Sequence, residues 1–123
     1  MKEILIFNSV KCSLKLGYHK NGKLKITFIS EEENEDEQLF LGQEIITCTS
    51  TSPDVTQNKN QIMLLNWHLD TPSPYEVLKK NGFLTNYFKE VNTASGKIVL
   101  VEPSEKLKYL ITKKNNNKTI KNF

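Results

Sequence analysis

Residues 9–28 read SVKCSLKLGYHKNGKLKITF, and this stretch decides the fold of the chain. Apolar and polar side chains alternate on both sides of Asn21-Gly22, as they do in two strands that each have one buried face. Asn-Gly is the strongest short signal for a hairpin turn, because both residues tolerate a positive φ. The stretch therefore predicts an antiparallel β-hairpin with an apolar buried face and a lysine-bearing exposed face.

Four further apolar runs predict strands elsewhere in the chain. They span 39–49, 62–69, 84–91 and 97–101, and the run at 62–69 is the most apolar of all. We expect the first of these strands to bend near Gly42, because glycine inside a strand often marks a bulge. The last two are separated by Asn92–Gly96 and are expected to form a second hairpin.

One short helix is predicted over residues 74–81. Ser73-Pro74-Tyr75-Glu76 has the form of a capping box with proline at the first helical position. Asn81-Gly82 is a helix-ending signal, because glycine readily takes the left-handed conformation that follows a last helical turn.

The end of the chain changes character. Leu107–Ile111 fits either a last strand or a second short helix, whereas the basic residues 113–123 are predicted to be a disordered tail. The expected fold is α+β: a single domain over 1–112, mostly antiparallel sheet built of hairpins with one short helix, followed by that tail.

Lysine alone carries the basic charge. The chain has 17 lysines and no arginine, and its net charge is +3. Arginine binds phosphates and guanine edges through two parallel hydrogen bonds, whereas lysine is a point charge. The composition therefore disfavours sequence-specific reading of nucleic acid.

The charges are segregated along the chain. Residues 1–30 carry +5, 31–44 carry −7, 45–112 carry +1 and 113–123 carry +4. Such a dipolar layout favours oriented encounter with a partner of mixed charge over general coating of nucleic acid. The acidic run supplies the candidate partner-binding residues Glu31, Glu32, Glu33, Glu35, Asp36 and Glu37.

The acidic run has two interpretations. One is a solvated, mobile loop, which is the usual role of such a sequence. The other is an electrostatic plug for a lysine- and arginine-rich groove, such as the guide-binding channel of a nucleoprotein enzyme. A calcium-binding EF-hand is excluded, because ligands do not alternate and the turn glycine is missing.

Lysines form the candidate contacts for RNA or DNA. Lys11, Lys15 and Lys25 are predicted on one face of the first hairpin, and Lys113 and Lys114 in the tail. No aromatic residue stands among the hairpin lysines, so we expect weak, salt-sensitive contact at most. Lysine there is also a usual means of keeping a sheet edge soluble.

One polar cluster in the sequence has residue types that are common in catalytic sites, and it consists of Asn66, His68 and Asp70. Alternate residues of a strand point the same way, so these three side chains are expected on one face of the strand. A histidine flanked by an aspartate there has the chemistry of a general base or of a pair of metal ligands. The alternative, which we favour, is the polar end of a strand that leaves the core.

Other catalytic and metal motifs are missing from the sequence. It contains no GxSxG elbow, no glycine-rich phosphate loop and no close-paired zinc ligands. Cys12 and Cys48 are predicted to be small buried hydrophobes in a reducing compartment, with a disulfide open if their strands face each other. No enzyme activity, catalytic residue, cofactor or metal is therefore expected.

Asp70-Thr71, Pro74, Leu78, Asn81-Gly82 and Leu84 together resemble a segment that recurs in small uncharacterised proteins of bacterial plasmids, conjugative elements and phages. In that group an N-terminal β-hairpin domain precedes a short helix that ends in Asn-Gly. Small, catalytically bare, acid-looped proteins of mobile elements are also similar in type to anti-CRISPR inhibitors.

The resemblance and the charge layout together imply a non-enzymatic inhibitor or accessory factor that binds a host protein. The expected partner is an RNA-guided Cas nuclease, in the cytoplasm of a bacterium that carries the mobile element. The alternative function is a small lysine-based RNA- or DNA-binding module. No membrane partner is expected, since no apolar run approaches the ~20 residues of a span.

Overall fold

In the part of the chain that the structure describes, seven antiparallel strands and two helices form one small domain. The computed structural model describes residues 3–52, 55–58, 60–67, 71–94 and 96–121, with the backbone alone for 116–121. The strands are β1 Leu5–Phe7, β2 Val10–Tyr18, β3 Leu24–Ser30, β4 Glu44–Thr47, β5 Ile62–Leu65, β6 Leu84–Thr93 and β7 Gly96–Pro103, and the helices are α1 Pro74–Lys80 and α2 Glu105–Lys121. The predicted α+β fold of antiparallel hairpins is confirmed.

The predicted first hairpin is the centre of a sheet with the order β1-β2-β3-β4. At its turn the Gly22 N–H donates to the His19 carbonyl at 2.9 Å, and Gly22 has a φ of +85°. Asn21 does not take a positive φ; its side-chain oxygen accepts the Lys23 N–H at 3.0 Å instead. The Asn-Gly signal located the turn, although only its glycine uses the left-handed region.

Strand β1 is a structural element that the sequence patterns do not predict. It has only three residues, and it pairs with β2 through the Asn8-Ser9 turn. Asn8 and Ser9 have φ values of +51° and +66°, which is the arrangement of a two-residue type I′ hairpin. Serine rarely takes this conformation, so Asn-Ser is a weaker sequence signal than Asn-Gly.

The strand predicted over 39–49 is shorter in the structure. The chain turns at Gly42, where φ is +83°, and β4 covers only Glu44–Thr47. Beyond β4 the chain crosses to the second sheet, where Thr49 forms a bridge with Leu64. The chain does change direction at Gly42, as predicted, but in a turn that precedes β4 and not in a bend within a strand over 39–49.

The second sheet has the order β5-β7-β6, and β6 with β7 is the predicted second hairpin. Alternation along β5 sends Ile62 and Leu64 into the main core. Met63 and Leu65 lie on the opposite face, in a smaller apolar cluster with Val55, Ile98 and Leu100.

One main core joins both sheets and both helices. Its fully buried side chains include Leu5, Phe28, Leu64, Leu78, Phe83 and Leu107. Cys12 and Cys48 are buried free thiols in this core, so their predicted role as small hydrophobes is confirmed. Burial raises the pKa of both thiols above the ordinary value, most strongly for Cys48.

Helix α1 begins and ends where the cap signals predict. The Ser73 hydroxyl oxygen accepts the Glu76 N–H at 3.3 Å. At the other end Gly82 has a φ of +78°, and the Phe83 N–H donates to the Leu78 carbonyl at 3.0 Å. This is a Schellman ending, and both Leu78 and Phe83 are fully buried.

Helix α2 corrects the prediction of a single helix. Of the two alternatives predicted for residues 107–111, the structure has the helix and not the strand, and the backbone is helical as far as Lys121, within the basic segment. Lys106 fixes its first turn, since Nζ lies 2.6 Å from Glu3 Oε1 and 4.4 Å from the centre of the Phe83 ring. Extending an anchored helix costs far less than starting one, and lysine is a good helix former. In the described part of the chain, neither helix is long and apolar enough to span a membrane.

Candidate protein-binding surface

The acidic run is folded into two successive hydrogen-bonded turns, residues 31–43, which we call the acidic turn. In the first, the backbones of Asn34 and Leu39 exchange hydrogen bonds of 2.9 and 3.0 Å. The Asn34 side chain accepts the Glu37 N–H at 3.3 Å, and Gln38 takes a φ of +55°. The tip residues 35–38 are therefore held by a defined network and are more than a featureless charged loop.

The second turn carries two large apolar side chains on its outside. The Gln43 N–H donates to the Phe40 carbonyl at 3.0 Å, while the Phe40 N–H donates to Gln43 Oε1 at 2.9 Å. Two bonds of 2.8 Å between Ser30 and residues 42–43 fasten this turn to the end of β3. Phe40 and Leu41 remain 66% and 63% exposed.

The predicted partner-binding carboxylates fall into two groups. Glu31 and Glu32 are half-buried at the base, and Glu31 Oε2 accepts a 2.7 Å hydrogen bond from the Ser13 hydroxyl. The exposed group consists of Glu33, Glu35, Asp36 and Glu37. Within the described residues, none of these four is in an ion pair.

This geometry suits recognition of a cationic protein surface. Four carboxylates project from a backbone that is already ordered, so binding requires little further loss of loop entropy. Aromatic side chains such as that of Phe40 are enriched in protein interfaces, where an apolar side chain that fills a pocket of the partner acts as an anchor. The acidic turn thus combines charge with a two-residue apolar anchor that was not predicted from the sequence.

The predicted lysine contacts occupy a different environment. The β2–β3 register puts Lys11, Lys15 and Lys25 on the same face of the hairpin, as predicted. Lys15 Nζ, however, lies 3.4 Å from Glu44 Oε1, and the acidic turn begins beside Lys11, whose carbonyl accepts the Glu31 N–H. Neighbouring carboxylates weaken the attraction of this face for phosphates. Lys113 and Lys114 lie on α2.

The predicted polar cluster is described only in part, because His68 and Asp70 lie outside the described residues. Asn66 is buried, and its Nδ2 donates to Glu90 Oε2 at 2.6 Å. Its Oδ1 accepts a 2.7 Å hydrogen bond from the Ser73 hydroxyl. Asn66 therefore links the end of β5 to β6, through Glu90, 24 positions away in sequence, and to the cap of α1, through Ser73, seven positions away.

His19 is a polar feature that sequence reasoning missed. Its Nε2 lies 2.8 Å from Thr49 Oγ1, which also accepts the Ile26 N–H at 3.3 Å. Burial, and then the charge of Lys25, lower the pKa of His19 below its ordinary value. The imidazole is therefore neutral at neutral pH, and only the contact across 30 positions to Thr49 reveals its placement.

Neither a search for metal-binding clusters nor comparison with known proteins assigns a function to this chain. Across the described ranges, no three or more His, Cys, Asp or Glu side chains gather where they could hold a metal ion. Comparison with protein families, characterised proteins and solved structures finds no match to this chain. Its function is therefore inferred from geometry.

Proposed function

We propose that this protein is a non-enzymatic binding factor that docks its acidic turn into a lysine- and arginine-rich groove of a partner protein. One observation carries the proposal. Four exposed carboxylates without ion pairs among the described residues stand on a hydrogen-bonded turn directly beside the exposed Phe40 and Leu41.

The two kinds of side chain contribute differently. A unit-charge pair at 4 Å is worth only about 1 kcal/mol in bulk water and about 4 kcal/mol near a protein surface, so the carboxylates bind best in a groove that excludes water. They also speed and orient the encounter. Burying a phenylalanine or leucine side chain contributes about 1.5–3 kcal/mol. Phe40 and Leu41 therefore supply affinity that salt does not screen.

An RNA-guided nuclease of a bacterial host is the partner that we propose. The guide channel of such an enzyme must attract a polyanion, so a compact set of fixed carboxylates is suited to compete for it. The similarity in type to anti-CRISPR inhibitors supports this choice, and it would place the protein in the cytoplasm of a bacterium that carries a mobile element.

Affinity capture from a host lysate, with and without nuclease treatment, tests the proposal. The key variant is Glu35→Gln/Asp36→Asn/Glu37→Gln. Its matched control, Glu76→Gln/Glu102→Gln/Glu105→Gln, removes the same charge from other surfaces. We expect a protein partner that survives nuclease treatment, is lost with the key variant and is retained with the control.

The apolar anchor is tested in the same way. Phe40→Ala/Leu41→Ala is expected to lose the partner, and Tyr87→Ala/Phe88→Ala, at two other exposed positions, is expected to keep it. Equal capture by all variants, or recovery of nucleic acid alone, would overturn the proposed function.

The choice of partner has its own assay. The protein is expected to slow DNA cleavage by the host's RNA-guided nuclease when it is added before the guide RNA, and the acidic-turn variant is expected to have no effect. Undiminished cleavage at a large molar excess of the protein contradicts the nuclease as partner while leaving protein binding to be judged by capture.

A further inference from the structure

The turn between β2 and β3 lies between two clefts. The first has a volume of about 620 Å³ and is lined by residues that include His19, Lys20, Lys23, Thr51, Ser52 and Met63. The second, of about 560 Å³, is lined by residues that include Tyr18, Lys23, Asn60, Gln61, Lys108 and Ile111. Lys23 and Gln57 line both clefts, so the two are neighbours, and we call the pair of clefts the lysine groove.

The charged side chains in the described lining of the lysine groove are all positive. It contains Lys20, Lys23 and Lys108, and none of its described lining residues is an aspartate or glutamate. Lys20 and Lys23 form no ion pair with any residue that the structure describes, whereas Lys108 Nζ lies 3.5 Å from Glu105 Oε1. This differs from the outer face of the hairpin, where Lys15 has a carboxylate partner.

The remaining lining groups suit a nucleotide strand. Hydroxyl and amide side chains occur in both clefts and can bond to phosphate, sugar or base edges: Asn21, Thr51, Ser52, Gln57, Asn60 and Gln61. Tyr18 is 40% exposed, and its hydroxyl donates a 2.6 Å hydrogen bond to Asn115 Oδ1, which restrains the ring. An exposed, restrained aromatic ring beside lysines is the combination that single-stranded nucleic acids bind.

We propose that the lysine groove binds single-stranded nucleic acid through its phosphates, with one base stacked on Tyr18. Each cleft alone has the size of a small-ligand site, roughly 300–1,000 Å³, and the two neighbouring clefts together offer places for successive nucleotides of a strand. Lysine holds phosphates without reading base identity, so binding is independent of sequence. This site differs from the face of Lys11, Lys15 and Lys25 that the sequence suggests.

Salt dependence gives the first test. Fluorescence anisotropy is measured with labelled oligothymidine and oligouridine of about ten nucleotides. Three lysine–phosphate contacts predict a slope near −2 in log K against log salt, since each contributes about 0.7 for a single strand. Affinity should then fall about 18-fold between about 50 and about 200 mM salt. Equal affinities for oligothymidine and oligouridine support a site that holds phosphates and accepts either deoxyribose or ribose. The absence of an anisotropy change at low salt overturns the proposal.

Matched variants locate the site. Lys20→Gln/Lys23→Gln/Lys108→Gln is expected to abolish the salt-dependent binding. The control, Lys79→Gln/Lys89→Gln/Lys97→Gln, removes the same charge from exposed positions and should bind like the wild type. Equal weakening by both triples indicates a diffuse effect of net charge and overturns the groove. Circular dichroism confirms that each variant is folded.

Stacking is tested separately at Tyr18. Tyr18→Phe keeps the ring and should bind within a factor of about two of the wild type, whereas Tyr18→Leu should weaken binding about fivefold or more. Equal affinity for the two variants contradicts the stacked base. The variants lie outside the acidic turn, so capture of a protein partner should be unaffected by them.

Discussion

Replacing Asn66 with alanine tests the buried polar link between the second sheet and α1. Asn66 is 5% exposed, its Nδ2 donates to Glu90 Oε2 at 2.6 Å, and its Oδ1 accepts from the Ser73 hydroxyl at 2.7 Å. A hydrogen bond to a charged group is worth about 1.5–3 kcal/mol and a neutral one about 1 kcal/mol. Asn66→Ala should therefore lower the free energy of unfolding by about 3 kcal/mol.

Urea unfolding followed by circular dichroism measures this loss. With an m value of about 1.5 kcal/mol/M, the unfolding midpoint should fall by about 2 M. Asn86→Ala is the matched control, because Asn86 Nδ2 donates to Glu102 Oε1 at a similar 2.7 Å but on the surface. Its removal should cost less than about 1 kcal/mol, since solvent replaces an exposed bond.

The comparison separates burial from bond geometry. Equal midpoint shifts for Asn66→Ala and Asn86→Ala would refute the argument that burial makes the Asn66 link important. A double-mutant cycle with Ser73→Ala should also give a coupling of about 1 kcal/mol, because each single variant removes the same Asn66–Ser73 bond. Additive losses would show that this bond does not contribute.

Three further predictions concern the two cysteines, His19 and Gly82. Cys12 and Cys48 should resist a thiol reagent in the native protein and react after denaturation, because burial removes access and raises the pKa of both thiols; rapid native labelling contradicts their burial. The imidazole of His19 should titrate below its ordinary pKa of 6.5 in an NMR pH series, and Lys25→Gln should raise that pKa. Because folding lowers the pKa of His19, its contribution to the free energy of unfolding is present above pH 6.5 and is lost as the pH falls through the pKa of the folded state. Gly82→Ala should cost about 1 kcal/mol in urea unfolding, because a Cβ meets no atom within 4 Å and only the φ of +78° opposes it; an unchanged midpoint contradicts this reasoning.

Local signals predicted the elements that local chemistry determines. The period-two pattern around Asn21-Gly22 and the cap signals at Ser73 and Gly82 located a hairpin and α1, because each depends on residues close together in sequence. The sequence left helix and strand open where α2 begins, since the first turn of α2 is anchored by contacts of Lys106 with Glu3 and Phe83. Such contacts are invisible to a periodicity argument.

The candidate sites also differ in whether local sequence or long-range contacts determine them. The exposure of the carboxylates from Glu33 to Glu37 could be predicted from the sequence, because six acidic residues among seven cannot be buried together. The exposure of Phe40 and Leu41 could not be predicted from the sequence, since these apolar residues also fit a buried strand unless the turn at Gly42 is known. The lysine groove depends on a loop and a helix that approach the first hairpin from distant parts of the chain.

Carbodiimide cross-linking of the captured complex is the most direct test of the proposed function. The reagent joins a carboxylate to a neighbouring lysine amine, so mass spectrometry of the products identifies which part of this chain touches the partner. We predict links from Glu33, Glu35, Asp36 or Glu37 to lysines of the partner. Links that involve only lysines of this chain, with the acidic-turn peptide recovered unmodified, would contradict the account.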